Sequence, residues 1–164
     1  MTKRLLQFSI LFLLLLTTSI QAQTAKCWGN FRGDAQLTGV SSATLPDKPA
    51  LLWNFNTQDG IKAAPVSCDG IVVVGTLQGH LYGITSEGSL KWKIVTENGI
   101  EAPALIVDGV AYVGDLDGAL YAVDLQTGAI KWTYLTENQI MGSPTYYSKG
   151  KNKVVMVGSY DYYL

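Results

Sequence analysis

The amino-acid sequence predicts an all-β fold built from one repeated unit. Three tryptophans, Trp53, Trp92 and Trp132, lie 39 and 40 residues apart, and the residues around each of them recur in the same order. Short runs rich in β-branched residues alternate with Asp-Gly, Gln-Gly and Thr-Gly turn signals, a pattern that is typical of hairpins. Repetition of this length is the signature of an array, so we expect residues shared by all units to serve the scaffold.

The second unit shows how many strands one repeat contains. Its pattern predicts strands over residues 102–107, 110–115, 119–124 and 129–136. Four antiparallel strands in about 40 residues make one blade of a β-propeller. The strands are apolar on both faces, which indicates a sheet that is covered on each side. The tryptophan on the fourth strand is expected to fill the space between neighbouring blades.

The array occupies residues 51–164, with units at about 53–91, 92–131 and 132–164. That is about three blades, whereas a closed ring of seven or eight needs about 280 residues or more. The first unit opens with a fourth strand at residues 52–57, and residues 160–164 stop inside a third strand. Because unpaired strand edges promote aggregation, we expect an incomplete propeller, the N-terminal part of a longer one. A head-to-tail oligomer that completes the ring is the alternative.

Residues 1–22 have the pattern of a secretory signal peptide. Lys3 and Arg4 precede an apolar run over residues 5–16, and cleavage is expected after Ala22. The run is shorter than the about 20 residues that a membrane-spanning helix requires. We therefore expect export to the periplasm or the extracellular space, with residues 23–50 forming an arm that leads into the repeats. The formal net charge is −1, and the sequence has no basic stripe of the kind that nucleic acid requires.

Export bears on the two cysteines, Cys27 and Cys68. In an oxidising compartment they could form a disulfide across about 40 residues. In a second interpretation, Cys68 is a half-buried thiol at the position that Val107 holds in the next unit, and Cys27 is part of the arm. In a third, Cys27 carries a lipid anchor, although Lys26 stands where lipobox sequences have a small residue. The sequence leaves these three interpretations open.

Three motifs resemble functional sites but have simpler interpretations. Residues 115–118 (Asp-Leu-Asp-Gly) begin like a calcium loop, yet the residues that follow offer no further oxygen ligands. Residues 32–34 match the Arg-Gly-Asp adhesion tripeptide. His80 is the sole histidine, which excludes a histidine cluster for zinc and a catalytic triad. We predict that residues 115–118 form a hairpin turn, that the match at residues 32–34 is a coincidence, and that His80 is an ordinary strand residue. We predict no catalytic, cofactor-binding or metal-binding residue.

Residues of the second unit resemble the pyrroloquinoline-quinone-like (PQQ-like) β-propeller repeats. The tryptophan-docking pattern of that family, Ala-x-Asp-x-x-Thr-Gly-x-x-x-Trp, is matched by Ala122, Asp124, Thr127, Gly128 and Trp132. The lead-in over residues 28–34 is also similar to that of many exported members. The resemblance covers residues 28–164 and implies a structural role for the matched residues.

The first unit departs from this pattern, with Gly83 and Thr85 where Ala and Asp are expected. The family includes dehydrogenases, assembly scaffolds and sensor domains attached to kinases, so the resemblance implies the fold more strongly than the function. Its quinoprotein dehydrogenases hold their cofactor between a tryptophan and a disulfide of adjacent cysteines, near a calcium. Cys27 and Cys68 are not adjacent, and no acidic ligand set matches. We therefore expect no cofactor, with PQQ as the alternative.

The resemblance and the leader together predict an exported, non-enzymatic β-propeller module that binds proteins through loops and strand edges. The leader resembles that of family members that act in outer-membrane protein assembly, which indicates envelope or outer-membrane proteins as partners. The alternative is a fragment of a PQQ-dependent quinoprotein dehydrogenase. A kinase-linked sensor would need a membrane span and kinase motifs. Five tyrosines of the last unit are expected either to form a contact patch or to cover core shared with further blades: Tyr146, Tyr147, Tyr160, Tyr162 and Tyr163.

Overall fold

Ten β-strands make up the computed structural model, which describes residues 27–41 and 43–164. Within those ranges there is no helix, and hence none long and apolar enough to cross a membrane. The predicted signal peptide and its cleavage site lie outside the described residues. The all-β prediction is confirmed.

Two complete blades and one pair of strands follow one another along the chain. Blade 1 consists of β1 (Val66–Cys68), β2 (Ile71–Gly75), β3 (His80–Thr85) and β4 (Leu90–Val95); blade 2 of β5 (Leu105–Val107), β6 (Val110–Gly114), β7 (Ala119–Asp124) and β8 (Ile130–Leu135); and blade 3 of β9 (Thr145–Lys149) and β10 (Asn152–Met156). Each sheet keeps the chain order, so all neighbours are antiparallel and joined by hairpins. The four predicted strands of the second unit are all present. The strand β5 begins later than predicted, after Pro103, which cannot donate to a ladder.

Tight turns between the first two strands of a blade follow from Asp-Gly pairs. Asp69 and Gly70 have φ of 49° and 76°, and Asp108 and Gly109 have φ of 51° and 73°. A two-residue turn with both φ positive matches the twist of the flanking strands. The Asp-Gly signals of the sequence therefore fix these hairpins.

The blades stack face to face, with the inner strands β1, β5 and β9 side by side. One apolar core runs through the interface and includes Val73 and Leu81 of blade 1 and Val113 of blade 2. The connection into blade 2 adds the fully buried Ile100, whose Cγ2 would lie 2.2 Å from a Cβ on Gly75. Burying such a side chain contributes about 1.5–3 kcal/mol. The stack therefore covers the facing sides of blades 1 and 2, whereas β8, β9 and β10 remain largely exposed.

Strand predictions at the two ends of the array are wrong. Residues 52–57 form no strand, because a ladder needs a neighbouring strand and none of the described residues pairs with them. Residues 160–164 form no strand either. The first of them form a turn in which the Tyr162 N–H donates to the Ser159 carbonyl at 3.3 Å. Residues 52–57 and 160–164 still occupy their positions in the sequence repeat, but neither segment forms a hydrogen-bonded ladder with a neighbouring strand.

The lead-in arm meets the array at the free edge of β1. Trp28 and Ser67 exchange backbone hydrogen bonds of 2.7 and 2.9 Å, and the Gly29 carbonyl accepts the Ile106 N–H of β5 at 2.5 Å. A disulfide joins Cys27 to Cys68 over a sequence separation of 41 residues. A sulfur in this bond cannot also carry a lipid thioether. The arm thus ties together the inner strands of blades 1 and 2.

Candidate functional site

The contact between blades 1 and 2 is built around Trp92. Its side chain projects from β4 and is 7% exposed. The indole N–H donates to the Leu125 carbonyl at 2.8 Å, across the blade interface. A Cβ on Gly128 would lie 2.7 Å from Cγ of the indole. The ring therefore rests on the glycine of the turn between β7 and β8, where only a residue without a side chain fits.

Asp124 holds that turn in shape. Its Oδ1 accepts the backbone N–H of Gln126 at 3.1 Å and of Thr127 at 3.0 Å, and the Thr127 hydroxyl at 3.0 Å. Lys131 lies 3.1 Å from Oδ2. The Lys131 ammonium, followed by the Thr127 hydroxyl and N–H, lowers the pKa of Asp124 to about 2. This Asx-type turn directs the Leu125 carbonyl towards Trp92.

The degenerate first unit makes the same contact. The Trp53 indole N–H donates to the Ser86 carbonyl at 2.9 Å, and a Cβ on Gly88 would lie 2.5 Å from Trp53 Cγ. Thr85 replaces the aspartate, and its hydroxyl accepts the N–H of Glu87 at 3.3 Å. The docking geometry therefore survives the loss of the carboxylate.

Trp132 is in a different environment. It is 44% exposed, and in the part of the chain that the structure describes no carbonyl accepts its indole N–H. Its ring centroid lies 5.8 Å from that of Tyr112, a neighbour that the sequence does not predict. All six residues of β8 are exposed, whereas on β4 Trp92 is buried. Trp132 thus has the repeat position of Trp53 and the strand position of Trp92, but among the described residues it has no turn to dock on.

An open groove of about 810 Å³ lies beside Trp132. One wall is the face of β8 and the other is β10, and Asp161, Tyr163 and Leu164 also border the groove. The apolar side chains that line the groove are Leu120, Trp132, Tyr134, Leu135, Val154, Val155, Met156, Val157, Tyr163 and Leu164. Apolar clefts of this kind are candidate surfaces for contact with another polypeptide segment. The groove is the candidate functional site.

Asp115 serves the fold, in a turn where the sequence offered a calcium-like motif. Its buried carboxylate accepts the N–H of Asp117 at 3.0 Å and of Ala119 at 2.9 Å, and the Tyr121 hydroxyl at 3.1 Å. Burial, and then the nearby Asp115 charge, raises the pKa of Tyr121 to about 12. Within residues 27–41 and 43–164 no group of three or more His, Cys, Asp or Glu is placed to hold a metal ion.

The Arg-Gly-Asp tripeptide at residues 32–34 and the histidine His80 also make local contacts within the fold. Asp34 accepts the Thr38 N–H at 2.9 Å and its hydroxyl. The Thr38 hydroxyl, followed by its N–H, lowers the pKa of Asp34. His80 lies on β3, and its Nδ1 is 3.9 Å from Oδ2 of Asp59. Neither residue meets a partner suited to catalysis.

The five C-terminal tyrosines do not form one patch. Tyr146 lines a cleft of about 180 Å³ beside the lead-in arm, whereas Tyr163 lines the groove beside Trp132. Tyr162 is almost fully exposed and has a φ of 75°.

The sequence analysis missed the backbone carbonyls of Ser86 and Leu125, which accept the indole N–H groups of Trp53 and Trp92. The signal that could have identified them is their position inside the docking pattern.

Blades of four antiparallel strands, with the indoles of Trp53 and Trp92 docked on the turn between the third and fourth strands of the blade that follows, define a β-propeller of PQQ-like repeats. The chain belongs to the family described as outer membrane protein assembly factor BamB, whose model matches residues 39–160. Curated protein sequences give no significant match.

Solved structures show the same architecture. BamB from Moraxella catarrhalis is 28% identical, with a TM-score of 0.50, over 53% of this chain and 27% of that protein. Quinohemoprotein alcohol dehydrogenase from Comamonas testosteroni is 24% identical, with a TM-score of 0.63, over 78% of this chain and 23% of that protein. A europium-containing methanol dehydrogenase is 17% identical, with a TM-score of 0.66, over 82% of this chain and 28% of that protein. The chain thus spans about a quarter of each relative, and the two dehydrogenases share the fold alone.

The residues present do not fit the quinone site that the family's dehydrogenases imply. That site needs adjacent cysteines in a disulfide beside a free tryptophan face. Here the disulfide joins Cys27 to Cys68 on the lead-in arm. Trp53 and Trp92 are both engaged with turns of the next blade, and the groove beside the open Trp132 is lined by no cysteine. No chemical step through a quinone follows from these residues.

Proposed function

We propose that the chain is an exported, non-enzymatic propeller module that binds envelope proteins through the face of blade 2. The observation that carries this proposal is the exposed strand β8, on which Trp132, Tyr134 and Leu135 are 44%, 63% and 72% exposed. An apolar, aromatic strand face with a groove beside it is suited to a β-strand or hairpin of another protein. The family match, to an outer membrane protein assembly factor, supports proteins of the envelope as the partners.

The lead-in arm supports function in an oxidising compartment. Its disulfide fixes the arm to β1, and such bonds persist in exported proteins. The proposed signal peptide would deliver the chain there. The carboxylates of Asp115 and Asp124 accept backbone N–H groups and hold turns.

Photo-crosslinking in the native cell envelope tests the proposal. A photoreactive phenylalanine analogue would replace Leu135 on β8 and, in the matched control, Val95, which is 66% exposed at the corresponding position of β4. We expect mass spectrometry to identify one envelope protein crosslinked at position 135 and absent at position 95. Equal labelling at both positions, or none at 135, would contradict the proposal.

The second candidate, a fragment of a quinoprotein dehydrogenase, is supported by the fold of the two dehydrogenase relatives. Titration of PQQ into the purified chain separates the two functions. The scaffold proposal predicts no saturable absorbance change. Saturable binding in the micromolar range would favour the dehydrogenase.

A further inference from the structure

We propose that the Cys27–Cys68 disulfide is a thiol–disulfide exchange site, and that its reduction by a dithiol releases the lead-in arm from the inner strands of blades 1 and 2. The blades themselves stay folded when the arm leaves. This switch is separate from the face of blade 2 that the proposed function uses, because Cys68 lies on the inner strand β1 and not on β8.

Few noncovalent contacts hold the arm against the blades. Trp28 and Ser67 exchange two backbone hydrogen bonds, and the Gly29 carbonyl accepts one from Ile106. Each such bond contributes only about 0.5–1.5 kcal/mol. Among the arm residues that the structure describes, Gly29 alone is buried, so hydrophobic burial adds little. The disulfide is therefore the main anchor of the arm.

The remaining hydrogen bonds of the arm, within its described residues, are internal to it. The Gly33 N–H donates to the Asn30 carbonyl at 3.0 Å, and the Gly39 N–H to the Arg32 carbonyl at 3.0 Å. These bonds would move with the arm and do not join it to a blade. Its large apolar side chains are exposed: Phe31, Leu37, Val40 and Leu45.

The cysteine on β1 is an addition to the repeat. Val107 holds the corresponding position of blade 2, and it pairs with Val110 as Cys68 pairs with Ile71. An aliphatic side chain therefore satisfies the strand at this position, and the scaffold does not require a sulfur there. The bond serves the arm alone.

The two sulfurs differ in access. Cys27 is exposed and lines the cleft of about 180 Å³ beside the arm, whereas Cys68 is partly buried and packs against the core. Access decides which sulfur a thiolate attacks, and exposed disulfides are the labile and regulatory ones. The geometry thus selects Cys27 as the sulfur attacked and Cys68 as the leaving group.

The exchange proceeds in two steps. A thiolate of the dithiol bonds to Sγ of Cys27 while the bond between the two cysteines breaks, and Cys68 leaves as a thiolate and takes up a proton. The second thiol of the reductant then attacks the reductant sulfur of this mixed disulfide, and Cys27 leaves and is protonated. Two electrons and two protons pass to the protein, and the dithiol becomes a disulfide.

Amide hydrogen exchange of the purified, oxidised chain, resolved by nuclear magnetic resonance, tests the release. The Ser67 and Ile106 N–H groups donate to carbonyls of the arm, whereas those of Ile100 and Leu125 donate to carbonyls of the blades. After reduction with dithiothreitol, we expect exchange at Ser67 and Ile106 to accelerate about tenfold or more, and exchange at the two control amides to change less than about twofold.

A variant reproduces the reduced state without a reductant. Cys27→Ser combined with Cys68→Val places the residue of blade 2 on β1. This double variant should show the fast exchange at Ser67 and Ile106 from the start, and dithiothreitol should not change it.

Glutathione identifies the sulfur that is attacked. The oxidised chain would be treated with glutathione and quenched in acid, and we expect mass spectrometry to find glutathione on Cys27. Glutathione on Cys68 instead would overturn the proposal. So would a disulfide that resists dithiothreitol, unchanged exchange at Ser67 and Ile106 after reduction, or loss of protection at all four amides together, since the last result means that reduction unfolds the blades.

Discussion

Trp92 donates its indole N–H to the carbonyl of Leu125, which lies 33 residues later in the chain and in the next blade. Trp53 and Ser86 make the same contact with the same spacing, so the segment before blade 1 docks on blade 1 as blade 1 docks on blade 2. Trp132 has no such partner within the described part of the chain. Three chemically identical side chains at equivalent positions therefore provide internal controls for one another.

Removal of the docked indole should destabilise the fold far more than removal of the open one. Trp92→Ala deletes a buried ring, which costs about 3–5 kcal/mol of unfolding free energy. Trp132→Ala deletes a half-exposed ring and should cost less than about 1 kcal/mol. Urea denaturation followed by circular dichroism measures both. Similar losses for the two variants would argue against docking as a source of stability.

The glycine beneath Trp92 can be tested against a glycine of the same backbone conformation. Gly128 and Gly109 have φ of 74° and 73°, so alanine at either position costs about 1–2 kcal/mol of backbone strain. Only at Gly128 does the added Cβ approach the indole, whereas at Gly109 it meets nothing within 4 Å. Gly128→Ala should therefore cost about 1–3 kcal/mol more than Gly109→Ala in the same denaturation assay. Equal costs would show that the ring does not rest on Gly128.

The disulfide between Cys27 and Cys68 should stabilise the exported protein. In the chain-entropy model, closing a loop over a sequence separation of 41 residues contributes about 4 kcal/mol. We expect a reductant to lower the thermal midpoint of the native chain and to have no effect on the Cys27→Ser, Cys68→Ser double variant. Detection of two free thiols in protein purified from the envelope would contradict the assignment.

Acid should weaken the turn at Asp124. The pKa of this carboxyl is lowered to about 2 by Lys131 first and Thr127 second, whereas an aspartate in the unfolded chain titrates near 4. A lowered pKa in the folded state means that the contribution is complete above about pH 4 and is lost as the pH falls to about 2. The stability difference between the native chain and Asp124→Asn should therefore shrink across that window, at constant salt. A difference that does not vary with pH would refute this role of Asp124.

The repeat and the blade were predictable from the sequence because hydrophobic period, Asp-Gly turns and tryptophan spacing are local signals. The ends of the array were not, since residues 52–57 have the composition of a strand but a strand is defined by its partner. The docking contact was predictable only in part. The pattern around Asp124 and Gly128 marks the turn, but the acceptor is a backbone carbonyl, which any residue type provides. The pattern also contains Trp132, whereas the ring that rests on Gly128 is that of Trp92.

Hydrogen exchange of the indole N–H groups, followed by nuclear magnetic resonance, tests most directly whether Trp53 and Trp92 dock on the blade that follows each of them. If they dock, we expect slow exchange for Trp92 and Trp53, a nuclear Overhauser contact between the Trp92 ring and the Gly128 α-protons, and rapid exchange for Trp132. Equal exchange rates for all three indoles, with no contact between Trp92 and Gly128, would contradict it.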